Sequence, residues 1–402
     1  MSIGLSSQKI PELRFPGYSD NWKVKKLGEI SNFWNGKAHE QDISEHGKYI
    51  VVNSKFISQN GNIKKYSDTQ ISPLKKNDIV IVMSDIPNGK AIGKCFLIDQ
   101  DEKYTLNQRI GGIRSKEIIS SFLFRVLNRN KYFLKFDNGV SQTNLRKDEV
   151  LGCPIIFPII TEQEKIVSFL DYTDGLINNL KDQKENLESY KKGIMQKIFS
   201  QEIRFKDKNG KYFFNWEEKR LGAIVKFLRG APVSKSDARE NGRYPYIMYG
   251  ELFVNYKEII GNIKSKIDKD VEPKSKIGDI LMPSSDVTPT GLATASAIFK
   301  SGVVLGGDIN ILRPVGSDFD SHFLSYLINF NKKSILRLVT GSMIKHIYIS
   351  EIKNIAYKIP SLPEQQKIGE FLTSIDKIIE SKQQQITMAE QWRKGLVQKL
   401  FI

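Results

Sequence analysis

Two cysteines, Cys95 and Cys153, are all that 402 residues contain. That excludes a disulfide framework and a cysteine-based metal knuckle, and it suits a reducing compartment. Histidine is nearly as scarce: His39, His46, His322 and His346 never pair at metal-ligand spacing with another ligand type. His39 and His46 fall in a polar loop and read as solvated, His322 as structural on a short helix. No apolar run approaches the ~18 residues of a membrane span, and the opening MSIGLSSQKIPELRF has no signal-peptide core, so a cytoplasmic protein with no membrane partner is expected. Phosphate-binding loops of the GxGxxG and Walker A kinds are missing. So is the Asn/Asp-Pro-Pro-aromatic clamp with which N-methyltransferases hold a flipped amine. Gly111-Gly112 and Gly306-Gly307 are bare pairs that read as turns. Glu217-Glu218-Lys219 is a crude Glu-x-Lys nuclease element, a triplet common in any basic chain. No catalytic residue, metal site or cofactor site is assigned to this chain.

Acidic residues are outnumbered, 45 Asp and Glu against 61 Lys and Arg, which leaves a net charge of +16. A polyanion, most often nucleic acid, is the partner that such a balance suits. The apolar fraction, 40%, is ordinary for a soluble protein, and the length suits two domains or more.

The chain repeats itself. TEQEKIVSFLDYTDGLINNLKDQKENLESYKKGIMQKIF begins at Thr161, and PEQQKIGEFLTSIDKIIESKQQQITMAEQWRKGLVQKLF begins at Pro363. Glu162 recurs as Glu364 and Phe199 as Phe401 with no gap between them. Both copies space apolar residues by three and four, a heptad-like stripe sustained for about five heptads, and each helix would run roughly 58 Å. Thr161 with Glu164 reads as a capping box, and Pro363 suits a first helical turn. Ile166, Phe169, Leu170 and Ile177, with Ile368, Phe371, Leu372 and Ile379, are the residues expected to pack the two helices together. Leu176, Tyr190, Ile378 and Trp392 extend the same stripes. Two unrelated coiled-coil segments binding outside partners are the alternative.

A second echo closes the repeat into a circle. Arg14-Phe15, Trp22 and Lys26-Leu27-Gly28 near the N-terminus match Arg204-Phe205, Trp216 and Arg220-Leu221-Gly222, which follow the first helix. The block that should follow the second helix therefore stands at the N-terminus, so the termini should meet and the molecule should have an approximate two-fold axis. The expected fold is α+β, with two repeated globular heads joined by two long antiparallel coiled-coil-like helices. Boundaries are placed at 1–158, 159–205, 206–360 and 361–402. In the first head Tyr49–Ile57, Asp78–Ser84 and Ile92–Asp99 read as β-rich, Ser120–Asn130 as a helix and Cys153–Pro158 as an exit strand. Tyr244–Phe253, Gly278–Asp286 and Leu292–Phe299 answer them in the second head.

The chemistry-bearing positions are polar loops between strands, because Arg, Lys, Asn, Gln, Ser and Thr read base edges in the major groove. In the first head the candidates are Ser84, Asn88 and Lys90 of SDIPNGK, and Gln142, Asn144 and Arg146 of GVSQTNLRK. Lys37, Ser54, Lys55, Gln108 and Arg109 could join them. In the second head they are Ser284, Ser285, Thr288 and Thr290 of SSDVTPTG, and Ser342, Lys345 and His346 of GSMIKH, with Arg229, Lys235 and Tyr249. Lys and Arg on phosphates would supply affinity without sequence information.

PELRFPGY…W…KKLGEI at Pro11–Ile30, the EQEKI…FL run ending at Leu170, KKGIMQKIF at Lys191–Phe199 and IPSLPEQQKIGEFL…RKGLVQKLF at Ile359–Phe401 together resemble the specificity subunit of type I restriction–modification enzymes, over essentially the whole chain. The resemblance implies two target-recognition domains, each reading half of a bipartite sequence in double-stranded DNA. The helices would act as a ruler for the gap and dock two methyltransferase subunits that methylate adenine N6. It implies no cofactor on this chain. S-adenosylmethionine would sit in the methyltransferase subunits, ATP and Mg in motor–nuclease subunits. A stand-alone methyltransferase or nuclease, or a coiled-coil scaffold binding DNA without sequence preference, are the alternatives.

Overall fold

A computed structural model of the chain describes residues 10–39, 41–85, 91–136, 143–286 and 289–401. They form two compact units, Met1–Asn179 with Ile386–Ile402, and Leu180–Gln385. The first long helix is Ile160–Phe199 and the second Leu362–Leu400, so each unit takes in one head and a stretch of both helices.

The first unit is built around the run Ile79–Val82, whose four residues are all fully buried. Alternate side chains of a strand point to opposite faces. Ile79 and Ile81 enter a core shared with the helix Ser120–Leu127 and the long helices, while Val80 and Val82 enter a second core with Phe56, Leu74 and Leu106. A strand buried on both faces shows no alternation in sequence, only the apolar run. It lies in an antiparallel sheet ordered Ser31–Asn35, Ile110–Ser115, Ile79–Val82, Cys95–Leu97. A second sheet pairs Tyr49–Val52 in parallel with Tyr104–Leu106. Lys23–Lys26 pairs with Pro154–Phe157, so entry and exit of the head lie side by side, with the proline-led strand at an edge.

The second unit repeats this plan. Its main sheet is ordered Val225–Arg229, Ile309–Pro314, Asp279–Pro283, Ser296–Ile298, and Glu217–Arg220 pairs with Ala356–Ile359.

Several readings of the sequence need correction. Tyr49–Ile57 is not one β-rich run. The strand stops at Val52, and Ser54–Ser58 is a helix because the Asn53 side chain accepts from the Phe56 N–H, a cap local enough to end the strand. Tyr244–Phe253 divides in the same way into the strand Tyr244–Ile247 and the helix Glu251–Val254. Gly111-Gly112 is not a turn but part of the strand Ile110–Ser115: a Cβ on Gly111 would stand 2.6 Å from the Phe33 ring, and one on Gly112 would overlap the Trp34 indole. Gly112→Val should therefore cost about 1–3 kcal/mol through overpacking, read as a lower melting temperature; an unshifted melt would show that Trp34 can move aside. His39 is not solvated. It is 1% exposed, its Nδ1–H donates to the Lys37 carbonyl (2.7 Å), and its Nε2 lies 2.8 Å from the Thr105 hydroxyl.

The long helices explain why their sequences recur. In the first unit Ile166, Val167 and Leu170 pack with Leu396, Val397 and Leu400, start of one helix against end of the other. In the second unit Leu187, Ile194, Met195 and Ile198 of the first helix share a core with Ile368, Leu372, Ile375 and Ile379 of the second. The expected packing residues Ile166, Leu170, Ile177, Ile368, Leu372 and Ile379 are all buried. Phe169 and Phe371 are half-buried and meet Phe15 and Phe205 edge-on, the aromatic residues of the repeated Arg-Phe blocks. Leu176, Tyr190, Ile378 and Trp392 belong to the apparent stripes but are 47–53% exposed. Adjacent residues lie about 100° apart around a helix, so Leu176 cannot share the seam that Ile177 occupies.

Thr161 is not the N-cap: the first helix begins at Ile160, and the Ile159 carbonyl accepts from the Glu162 and Gln163 N–H groups. Ser361 stands at the matching place before the second helix. The recurring Glu-Gln pair just inside each helix has two jobs. Glu162 holds Arg14 through two 2.8 Å bonds, and Glu364 holds Arg204. Gln163 accepts from the Ile119 N–H and donates to the Pro158 carbonyl; Gln365 does the same with Asp320 and Pro360. The termini do meet: Leu13 N–H donates to the Lys399 carbonyl, as Ile203 N–H does to Lys197 in mid-chain.

One recurring charge fixes the register of the helices within each unit. Asp174 bonds Arg393 of the second helix and Arg125 of the head; Asp376 bonds Lys191 of the first helix and the Tyr326 hydroxyl of the other head. Burial opposes the Asp174 charge, but the hydrogen bonds from Arg393 and Arg125 outweigh it and hold the carboxyl below its ordinary value. A depressed carboxyl supplies stability that is present above the ordinary value of 3.8 and is lost as the pH falls through the lower folded value. Asp174→Asn should accordingly be destabilised at neutral pH, with its gap to the wild type closing in acid. A gap that stays constant down to pH 2.5 would contradict this.

Candidate nucleic-acid interface

In the first unit several strands finish on one edge. Asn35 pairs with Gly111, Val82 with Ile110, and Val52 with Leu106, so three strands end where Ile110–Ser115 begins. Backbone bonds knit the connecting loops there: Lys37 to Leu106, Asn107 to Val52, Met83 to Arg109, and Leu145 to Met83. Beyond Val82 the strand Ser84–Asp85 pairs with Thr143–Asn144. The two loops singled out in the sequence, which are far apart along the chain, are therefore joined. Six strand residues lead away from this edge to Ser115, roughly 20 Å, and Ile119 just beyond bonds Gln163 of the long helix. The edge faces away from the helix attachment.

Lys37, Lys55, Arg109, Asn144 and Arg146 are exposed on this edge, Ser54 and Gln108 are half-buried, and Ser84 is buried. Asn88, Lys90 and Gln142 lie outside the described residues. Arg109 adopts φ +67, a conformation few residues other than glycine take, held by the Met83 bond to its carbonyl. Sequence reasoning missed Asn107, whose side-chain oxygen is buried without a partner among the described residues. Its place beside Gln108 and Arg109 was the available signal.

The second unit has the same edge with different side chains. Ser284 N–H donates to the Asp308 carbonyl as Met83 does to Arg109, and Ser285–Asp286 pairs with Lys345–His346 as Ser84–Asp85 pairs with Thr143–Asn144. Arg229, Lys235, Thr290 and Ser342 are exposed. Tyr249 is 39% exposed; Ser285, Lys345 and His346 are half-buried, and Lys345 donates to the Gly341 carbonyl. Ser284 is buried, with its hydroxyl unpartnered among the described residues. Thr288 lies outside the described residues. Where the first unit carries Asn107, Gln108 and Arg109, the second carries Gly306, Gly307 and Asp308. Asp308 was not among the sequence candidates. Arginine is suited to guanine, and a carboxylate to an exocyclic amino group, so one frame presents opposite chemistry in the two heads. Lys37, Lys55 and Arg146 of the first unit and Arg229 and Lys235 of the second are exposed basic side chains.

The family described as Type I restriction modification DNA specificity domain matches residues 19–189 and 214–391, one stretch for each head with its following helix. Over 411 residues the chain is 24% identical to the type I restriction enzyme MjaVIII specificity subunit of Methanocaldococcus jannaschii, covering 96% of this chain and 93% of that one. Over 426 residues it is 25% identical to the MjaIX specificity subunit of the same organism, covering 94% and 92%. Among solved structures, the S subunit of a type I restriction–modification system from M. genitalium aligns with a TM-score of 0.61 at 17% identity, over 98% of this chain and 99% of that one. A second, from a study of type I complex assembly and conformational transition, aligns with a TM-score of 0.57 at 14% identity, over 94% and 97%.

Proposed function

The chain belongs to the type I restriction modification DNA specificity family, and from that premise we propose that each of its heads reads one half of a bipartite sequence in double-stranded DNA. The observation that carries the reading is the contrast at the strand-end edge, Arg109 in one head and Asp308 in the other on the same backbone frame. A chain that binds DNA without sequence preference has no reason to diverge there while its helices stay alike. Candidate contacts are the exposed side chains already placed on the two edges. Backbone affinity comes from Lys and Arg, and discrimination from the few groups that reach base edges.

In this reading the long helices set the gap between the half-sites and dock two methyltransferase subunits. Exposed Tyr172, Leu176, Met388 and Trp392 on the long helices are apolar surface available for that docking. The chain itself is non-catalytic. S-adenosylmethionine belongs to the methyltransferase subunits, which take the target adenine out of the stack, and ATP and Mg to the motor–nuclease subunits of the full complex. No described helix is long and apolar enough to cross a membrane, and the complex works on DNA in the cytoplasm.

The test is a methylation map. The chain is co-expressed with its methyltransferase subunit in a host free of other adenine methylation, and N6-methyladenine is located by single-molecule sequencing. The expected result is one bipartite motif with a constant gap that disappears when this chain is left out. An unchanged motif without the chain would assign recognition to another subunit.

A further inference from the structure

The edge of the second head contains a cavity of about 410 Å³, lined in part by Lys235, Tyr246, Met248, Tyr249, Gly306 and Asp308. Three features show that it is shaped for a ligand. Tyr246 lines it while being only 1% exposed, and its hydroxyl has no hydrogen-bond partner among the described residues. The hydroxyl is not shut off from the cavity, so water or a ligand can complete it. The cavity floor is glycine: a Cβ on Gly306 would stand 3.0 Å from that hydroxyl, and the first head has Asn107 at this position. Asp308 on the cavity lining is exposed, and its carboxylate likewise has no partner among the described residues. Burial pushes the Tyr246 phenol up to about 12, so it remains a donor at any physiological pH.

The walls are broad and apolar, formed by Met248, Tyr249 and Val254. Of the polar lining side chains, Ser234 bonds Ser236, Glu251 accepts from the Met248 N–H and the Ser265 hydroxyl, and Asn255 donates to Glu251, whereas Tyr246, Asp308 and Lys235 have no such bond among the described residues. Such a site suits a flat heteroaromatic ring whose edge carries a donor beside an acceptor, attached to an anion. We propose that this cavity seats one nucleobase turned out of the target duplex, adenine or cytosine, with its amino group on Asp308, its ring nitrogen on the Tyr246 hydroxyl and its phosphate near Lys235. The proposal rests on the reading of this head as a DNA-binding one. It concerns a base other than the adenine that the methyltransferase partner methylates. The first head, with Asn107 and Arg109, is not built to hold a base in this way.

The test uses the full complex of this chain with its methyltransferase subunits. The half-site read by the second head is synthesised with 2-aminopurine at each adenine in turn, or pyrrolocytosine at each cytosine. Both analogues keep an amino-type donor beside a ring nitrogen, and both brighten when unstacked. The expected result is a several-fold rise at one position besides the methylated adenine. The ratio of that rise to the one at the methylated adenine should collapse in Gly306→Asn, which fills the floor. It should also fall in Tyr246→Phe, which removes only the hydroxyl and keeps the variant folded if the larger change does not. Binding with no second rise, or a second rise that survives both substitutions, overturns the pocket. Absence of specific binding and of any rise, the methylated adenine included, overturns the DNA reading beneath it.

Discussion

Exchanging residues 213–358 for the corresponding stretch of a relative with another target should replace one half of the methylated motif and leave the other half and the gap unchanged. The head is closed on itself where Glu217–Arg220 pairs with Ala356–Ile359, so the exchange begins and ends at neighbouring backbone positions. Everything on the second edge, from Arg229 through Asp308 to His346, is carried across together. Left behind is the helix side of the joint: Gln365 with its bond to Asp320, Asp376 with its bond to Tyr326, and Phe199 against Phe323. The incoming head must supply Phe and a group able to bond Asp376 at those places. A relative with Arg at the Tyr326 position should serve as well, because Arg125 occupies the matching place in the first head and bonds Asp174. A change in both half-sites, or in neither, on the methylation map of the exchanged chain would break the assignment of one half-site to each head. A change in the gap alone would place the recognition determinant in the helices.

The repeat made much of this architecture legible. Recurrence of Glu162-Gln163 as Glu364-Gln365 marked the joints before their partners were known, and the displaced Arg-Phe block required the termini to meet, as Leu13 and Lys399 do. The helix seam was legible because Ile166, Leu170 and Ile177 obey a helical period. The limits of the stripe were not, because Leu176 and Tyr190 are as apolar as their buried neighbours, and only the position of the second helix decides which of them face solvent. Inside the heads the signals were local and ambiguous. Val52 and Ile57 are both strand-like residues, and a single side-chain bond from Asn53 separates strand from helix between them. His39 reads as polar loop until Thr105, remote in the chain, supplies its partner. The strand-end edge was half legible. Polar loop residues pointed to it, but Tyr246 and Gly306 look like core and turn, and their shared cavity exists only once the strand Tyr244–Ile247 lies beside Val304–Leu305. Asp308 lies outside the set of Arg, Lys, Asn, Gln, Ser and Thr from which most of the candidates were drawn; its alignment with Arg109 is the signal that exposes it.

Glu364→Ala should be the most damaging single substitution at the joints, and Glu162→Ala should cost distinctly less although the two glutamates are the same residue of the repeat. Both side chains are fully buried. Glu364 accepts from Arg204 at 2.7 and 3.1 Å and from the Trp216 indole N–H at 3.2 Å, whereas Glu162 accepts from Arg14 alone, and the Trp22 indole N–H already lacks a partner among the described residues. The carboxylate bonds are the leading cause holding both guanidinium groups above their ordinary values, against the cost of burial. Removing one member of a buried pair leaves the other charged and desolvated, a loss of about 3–5 kcal/mol. At Glu364 that loss includes a second orphaned donor, because Trp216 is 9% exposed and packs edge-on against Phe323 in the core that also holds the second helix. For a unit of this size the expected fall in melting temperature is roughly 10 °C. Because the chain divides into two compact units, hydrogen exchange should accompany the melt to report each of them. Glu364→Ala is expected to lower protection throughout Leu180–Gln385, and Glu162→Ala to lower it, by a smaller factor, in the unit that contains Arg14. Equal losses in the two variants would mean that the Trp216 bond contributes nothing and that the first joint already tolerates its unpaired indole for the same reason.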